Sequence, residues 1–539
     1  MLSSRLLRRG DEHPWFYRVT EPFFERLNEG YRRLLDGFLK VRWMAFVLMA
    51  ACGGLVWFLN GQLESELAPA EDRAQFTVSA QLPQGTSYPA TVAYMDRLTA
   101  LVQREVPGTT GLNTIVGGGG GGGGTNSGRI TVTLTPADER DESQSEIAQR
   151  LQKAVAQMPG ASVNIQEPAT ISTASSRGLP VQYVIQAPTL AALQEVLPQF
   201  VERANATGQF AFVRANLDFT NPELQVEVDR NRAQSLGIDP VDVATTLQVA
   251  LSEQRLGYFL RGGQQYEVIA QLESDRRSDP SGLRGLYVNG ADGTPILLDN
   301  LITTRESAAP PQLNRYNRFE SATVNAQPAP GVSLGAALDA MDRVADETLP
   351  DGFTRTVTGQ SRDFRESAGS LYTVFGLALV LIYLVLAAQF ESFRDPFIIL
   401  LTVPLALVGA LGFLWSFGAT MNVFSQIGIV MLVGLVTKNG ILIVEFARQR
   451  QEAGATVLEA AREGAAARFR PILMTTLATI LGTLPIALAL GAGAESRVPM
   501  GLAVIGGLSV GTVLTLFVIP AVYTYLAGAH RAVPNDEPF

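Results

Sequence analysis

The stretch that decides the fold is Val423-Phe-Ser-Gln-Ile-Gly-Ile-Val-Met-Leu-Val-Gly-Leu-Val-Thr-Lys438-Asn439-Gly-Ile-Leu-Ile-Val-Glu445-Phe-Ala447. It is long and apolar enough to cross a bilayer, which takes about 20 such residues. Lys438 lies well inside it. An ammonium at that depth costs about 2.5–3.5 kcal/mol on insertion scales, so an intramembrane lysine reads as functional. A snorkelling lysine sits near a helix end. A buried lysine requires a carboxylate. Glu445 is two turns further along the same face, a rise of about 10 Å, too far for a direct ion pair.

Five other runs qualify as spans: Trp43–Leu59, Leu371–Ala388, Pro396–Phe417, Pro471–Leu490 and Pro499–Leu526. None of the five contains Asp or Glu, so the partner of Lys438 is expected from another chain or another piece of protein. The layout is one span, a long soluble insert, then five spans. Across the 539 residues only 17% are charged, against about 25% in a globular protein; the shortfall sits in these runs. The net charge of -9 disfavours nucleic acid. One cysteine, Cys52, and two histidines near opposite ends, His13 and His530, leave no disulfide framework and no metal centre. Arginines and lysines crowd before the first span and between Arg448 and Arg470. By the positive-inside rule both termini are cytoplasmic and the insert lies outside.

The insert reads as α+β. Strand Gln75–Gln81, helix Pro89–Val106, strand Arg129–Leu134, helix Ser145–Met158 and strand Ala161–Gln166 form a first β-α-β-α-β set. A second is strand Val181–Gln186, helix Leu190–Ala204 and strands Gln209–Ala215 and Glu223–Val228. A third is strand Ser321–Ala326, helix Leu334–Glu347 and strand Thr354–Thr358. The last two combine into one split β-α-β, ferredoxin-like unit, with 229–312 inserted. Gly117–Gly124, eight glycines, is placed between a helix and a strand. No phosphate-loop lysine follows it, and a flexible loop is the favoured reading. Phe16–Leu39 has apolar residues at helical spacing interleaved with arginines, which fits a helix on the membrane surface or one packed on cytoplasmic loops. Thr475, Thr476, Thr479 and Thr483 cluster in the fifth span. Gly409, Gly412, Gly428, Gly434, Gly501, Gly506, Gly507 and Gly511 are read as close-packing positions.

The run from Gly434 to Ala447, with Arg468-Phe-Arg470-Pro471-Ile-Leu-Met-Thr475, resembles the C-terminal half of resistance-nodulation-division (RND) efflux transporters. So do Asn221–Asp229, Leu313–Asn317 and Ala388–Pro396, and within the family the likeness is to the hydrophobe/amphiphile multidrug branch. The resemblance covers nearly the whole chain. It implies an α-helical transmembrane bundle of six helices, one plus five, with a large α+β periplasmic insert of ferredoxin-like porter subdomains and a docking subdomain. The implied division is a cytoplasmic segment with a surface helix at 1–42, a first transmembrane helix at 43–60 and a first porter subdomain at 61–179. A second porter subdomain takes 180–228 and 313–365, the docking subdomain 229–312, five transmembrane helices 366–528 and a cytoplasmic tail 529–539.

The implied activity is proton-driven efflux of hydrophobic or amphiphilic compounds: a secondary transporter rather than an enzyme, without cofactor or metal. Lys438, Asn439, Thr475 and Arg468 correspond to a proton relay whose aspartate pair belongs to the N-terminal half. That half is absent here, so the chain is expected to be a fragment or one gene of a split pump, inactive alone. The glycine run falls where relatives carry a loop between drug pockets. Ile115, Gly117, Gly118, Gly120 and Thr131 are therefore substrate-pocket candidates. Implied partners are the N-terminal half, two further copies in a homotrimer, a periplasmic adaptor (membrane fusion protein), an outer-membrane channel and membrane lipids, in a Gram-negative inner membrane. The competing reading is a non-transporting scaffold derived from a half pump. A transporter of lipids or hydrophobic metabolites is a third.

Overall fold

The computed structural model describes residues 15–117, 124–171, 178–252, 254–277, 279–310, 312–490 and 493–527. Gly118, Gly120, both histidines and the tail 529–539 lie outside them. Among the described residues, six helices are long and apolar enough to cross a membrane by length and composition.

The chain divides into two units, the larger being 1–81, 91–216 and 315–539. It opens with α1 (Trp15–Lys40) and α2 (Met44–Gln62), the first candidate span. β1 (Gln75–Gln81), α3 (Tyr88–Glu105), β2 (Thr109–Val116), β3 (Ser127–Leu134), α4 (Gln144–Val155) and β4 (Ser162–Gln166) follow. The sheet order is β4-β1-β3-β2, antiparallel throughout. Alternation explains its layering. Phe76, Val78 and Ala80 of β1 and Ile130, Val132 and Leu134 of β3 are buried with Met95 and Leu98 of α3 and Leu151 of α4. Thr77, Ser79 and Gln81 point the other way. α4 starts on a reciprocal cap between Ser143 and Glu146.

β2 corrects the sequence reading. The glycine run lies between two strands of a hairpin, not between a helix and a strand. Gly111 and Asn113 weaken the strand signal of Thr109–Val116, and none of its residues is fully buried, so no apolar alternation betrays it. Gly117, at φ 79°, donates its N–H to the Ser127 carbonyl at 2.8 Å and closes the described part of the hairpin.

The second sheet uses β5 (Val181–Ala187), α5 (Leu190–Ala206) and β6 (Phe210–Ala215). The smaller unit, 82–90 and 217–314, contains β7 (Asn221–Val228), α6 (Arg230–Ser235), α7 (Pro240–Leu251), β8 (Gln254–Arg261), β9 (Gln264–Ala270), β10 (Tyr287–Asn289), β11 (Pro295–Leu297) and β12 (Ile302–Ala309). β7 pairs with β12 along its whole length. The expectation that Glu223–Val228 joins the sheet of Val181–Gln186 is thus wrong: backbone pairing, which alternation does not encode, assigns it elsewhere. β13 (Asn314–Tyr316), β14 (Phe319–Pro328), α8 (Leu334–Thr348) and β15 (Thr354–Val357) complete the second sheet. Its order is β15-β5-β14-β6, with β13 also on β14.

The remaining helices are α9 (Gly359–Phe390), α10 (Arg394–Leu400), α11 (Thr402–Ser416), α12 (Val423–Glu452), α13 (Val457–Ala487) and α14 (Val498–Leu526). The span expected at Pro396–Phe417 is broken at Leu401. Pro404 has no N–H for the Leu400 carbonyl, and the Thr402 hydroxyl donates to Ile399 O at 2.8 Å. α12 and α13 run past their expected cytoplasmic ends because hydropathy marks the membrane part of a helix, not its terminus. α13 begins at a Thr456–Glu459 capping box. α11 and α14 form the packed centre: Gly409 and Gly506 meet backbone to backbone, leaving no room for a Cβ on either. Gly428, Gly501, Gly507 and Gly511 are equally tight, whereas Gly412 and Gly434 have open space where their side chains would be.

Candidate functional site

The helix α12 presents two unlike neighbours. Lys438 is exposed, on a stripe with Ile427, Met431 and Gly434 at i, i+4, i+7 and i+11, one face of a helix. Among the described residues it forms no ion pair or hydrogen bond. Asn439 is buried. Its side-chain amide donates to Thr512 Oγ1 at 3.0 Å and to Thr476 Oγ1 at 3.5 Å, and the two threonine hydroxyls lie 3.4 Å apart. Asn439 thus ties α12, α13 and α14 together.

The other relay candidates lie apart from these contacts. Thr475 is half-buried and its hydroxyl donates to Ile472 O at 3.1 Å. Thr479 and Thr483 likewise bond carbonyls of their own helix. The Arg468 guanidinium sits 5.0 Å from the Phe446 ring centre, and its buried Nε has no hydrogen-bond partner among the described residues. Phe446 is eight residues beyond Lys438, a rise of roughly 12 Å, so Arg468 and Lys438 are on different levels.

A second set of contacts joins the membrane helices to the soluble sheets. The segment after α2 pairs with the loop before α12: Met421 N donates to Glu64 O at 2.7 Å, Glu66 N to Met421 O at 3.1 Å and Val423 N to Leu67 O at 3.2 Å. On its other side, Gly335 N of α8 donates to Ser65 O at 3.1 Å. Glu66 accepts from the Thr420 hydroxyl. Burial raises its carboxyl above the usual range, the Thr420 bond opposes this, and the Glu64 charge adds to it. A little further on, Asp72 accepts from Arg140, whose partner surfaces are almost fully covered, and from Gln144 N. Burial pushes Asp72 up, but these bonds outweigh it and hold it below the ordinary value.

A cavity of about 300 Å³ opens over the polar face of the first sheet. Ile115 and Gly117 line it. Thr131 is on the same face, opposite Thr77 and Asn113, but is not among the lining residues.

Residues 1–527 match the AcrB/AcrD/AcrF family. The chain belongs to this family of RND permeases. An uncharacterized transporter of Haemophilus influenzae is 32% identical over 545 residues, which cover 99% of this chain and 52% of the relative. The chain therefore spans about half the length of that relative. Seen as part of an AcrB/AcrD/AcrF transporter, the features missed in the sequence are Thr512 and the Glu66–Thr420 pair. Thr512 is one of several hydroxyls in the apolar sixth span, with Ser509, Thr515 and Thr524, and nothing local singles it out. Nothing local marks Glu66, whose burial comes from residues far along the chain.

Proposed function

We propose that the chain is the C-terminal half of a proton-driven inner-membrane exporter of the multidrug branch of this family. The observation that carries the reading is Lys438, an ammonium on an open face in the middle of a membrane helix. Exposed to lipid it is costly. Beside it a Cβ at Gly434 would meet nothing within 4 Å among the described residues, and small residues are where membrane helices approach one another closely. Both features favour a covering helix that brings carboxylates, here assigned to the N-terminal half. Protonating those carboxylates frees Lys438 and alters helix packing. The segment Glu64–Leu67, bonded to both the α12 entrance and α8, carries that movement to the sheets.

The sheet orders β4-β1-β3-β2 and β15-β5-β14-β6 support reading 61–179, and 180–216 with 315–365, as ferredoxin-like porter subdomains. The smaller unit serves as the docking subdomain. On this reading both termini are cytoplasmic, and the transporter works as a homotrimer with a periplasmic adaptor and an outer-membrane channel. Substrate passes through the cavity beside Ile115 and Gly117. Thr475 and Arg468 remain relay candidates that act when the second half is present, whereas Asn439 holds the bundle.

The test is ethidium efflux driven by a proton gradient in vesicles containing the whole transporter. Lys438→Ala is expected to abolish efflux at unchanged protein level. Normal efflux by that variant overturns the proposal.

A further inference from the structure

The cavity over the first sheet has a definite chemistry. Strand register places Ile115, Arg129, Ser79 and Asn164 in one row across β2, β3, β1 and β4. All four line the cavity, and Phe212 and Arg214 of β6 line it as well. On the opposite face, Phe76, Val78 and Ala80 of β1 and Ile130, Val132 and Leu134 of β3 are apolar and buried. A sheet face meant for a dry layer alternates to apolar residues; this one carries hydroxyls, amides and a guanidinium. Asp and Glu outnumber Lys and Arg in the chain, 51 to 42. Yet no carboxylate is among the described residues lining the cavity, and two arginines are. Arg129 forms no ion pair among the described residues.

We infer that this cavity selects amphiphilic organic anions. A carboxylate or sulfonate head is held by Arg129 and Arg214, and the apolar body rests on Ile115 and Phe212. Guanidinium groups suit such heads because their planar donor fork matches two acceptor oxygens. Ser79 and Asn164 supply neutral hydrogen bonds to the same head. The volume is at the lower end for small-molecule sites, enough for a compact aromatic anion. The inference deepens the transport reading above, since it names the class of compound for the same cavity.

The experiment compares two xanthene dyes of like shape and opposite charge, fluorescein and rhodamine 123. Their fluorescence polarisation is titrated with the purified chain in neutral phosphatidylcholine nanodiscs, with empty nanodiscs as background. Fluorescein is expected to bind more tightly than rhodamine 123. The double variant Arg129→Gln, Arg214→Gln is expected to weaken fluorescein by about tenfold or more, the loss of charge-assisted hydrogen bonds, without weakening rhodamine 123. Arg129→Lys restores part of the loss. Both arginines are exposed, so the variants keep their fold, which the melting temperature checks. If both dyes bind and Phe212→Ala loosens both while the arginine variants change neither, the cavity stands and its anion selectivity is wrong. A preference for rhodamine 123 overturns the selectivity in the same way. If neither dye binds above background, both the selectivity and the cavity as a substrate site fall.

Discussion

The Tyr31 hydroxyl of α1 donates to the Leu516 carbonyl in the middle of α14 at 2.7 Å. That carbonyl has no helical donor of its own, because the residue four positions on is Pro520. The Tyr31 ring also stacks on Phe469 of α13, centroids 4.4 Å apart and planes 7° from parallel. α1 is thus pinned by a gap in the hydrogen-bond ladder of α14. Its Phe23, Leu27 and Leu34 stay exposed on a neighbouring face, so one apolar side packs on the described protein and the other does not. Tyr31→Phe keeps the stack and orphans Leu516 O, with an expected loss of about 1–3 kcal/mol. Thermal unfolding of the purified protein measures it, and an unchanged melting temperature refutes the role.

Asn439→Ala and Lys438→Ala are expected to separate stability from transport. The first removes a buried interhelical bond and lowers stability by roughly 1 kcal/mol, the usual worth of such bonds in membranes. The second touches an exposed side chain in this chain and leaves the melting temperature of the isolated chain unchanged, while ending efflux by the whole transporter. Equal thermal loss in both variants contradicts the placement of Lys438 on an open face.

Two glycines behave differently although each sits in an apolar span. A Cβ on Gly409 collides with Gly506 O and lies 2.7 Å from Val510 Cβ, so Gly409→Ala is expected to cost about 1–3 kcal/mol through overpacking. A Cβ at Gly434 meets no atom of the described residues within 4 Å, so Gly434→Leu is expected to leave the stability of this chain alone. In the whole transporter the same leucine fills the space proposed for a covering helix, and efflux falls. Retained efflux by Gly434→Leu shows that nothing packs there.

The Glu66 carboxyl has a folded-state pKa above its unfolded value. Its contribution to stability is therefore complete below the unfolded pKa and is lost as pH rises through the folded one. Glu66→Gln keeps an acceptor for the Thr420 hydroxyl and removes the titration. The variant is expected to melt at a higher temperature than the parent at pH 8 and at nearly the same temperature at pH 4. A parallel pH dependence in both proteins rules out a buried, destabilised Glu66.

Much of this molecule is legible without coordinates. The spans, the intramembrane lysine and the first sheet's β1, β3 and β4 follow from local patterns that repeat within a few residues. β2 was hidden because an exposed strand rich in Thr, Gly and Asn has no apolar alternation. The break at Leu401 was missed although Pro404 foretold a weakened first turn. All eight span glycines looked alike in sequence, and the structure divides them by what stands opposite each.

By itself the sequence determined which segments are apolar enough to cross a membrane and that one of them carries a charge needing compensation, since both are sums over neighbouring residues. Only the tertiary structure decided that Lys438 faces out while Asn439 beside it faces Thr512, that β7 pairs with β12, and that Arg129 and Arg214 share a cavity. Those facts depend on which distant surfaces meet. A helix turns about 100° per residue, so adjacent side chains take unrelated environments, and nothing in their local order says which one the neighbouring helix will cover.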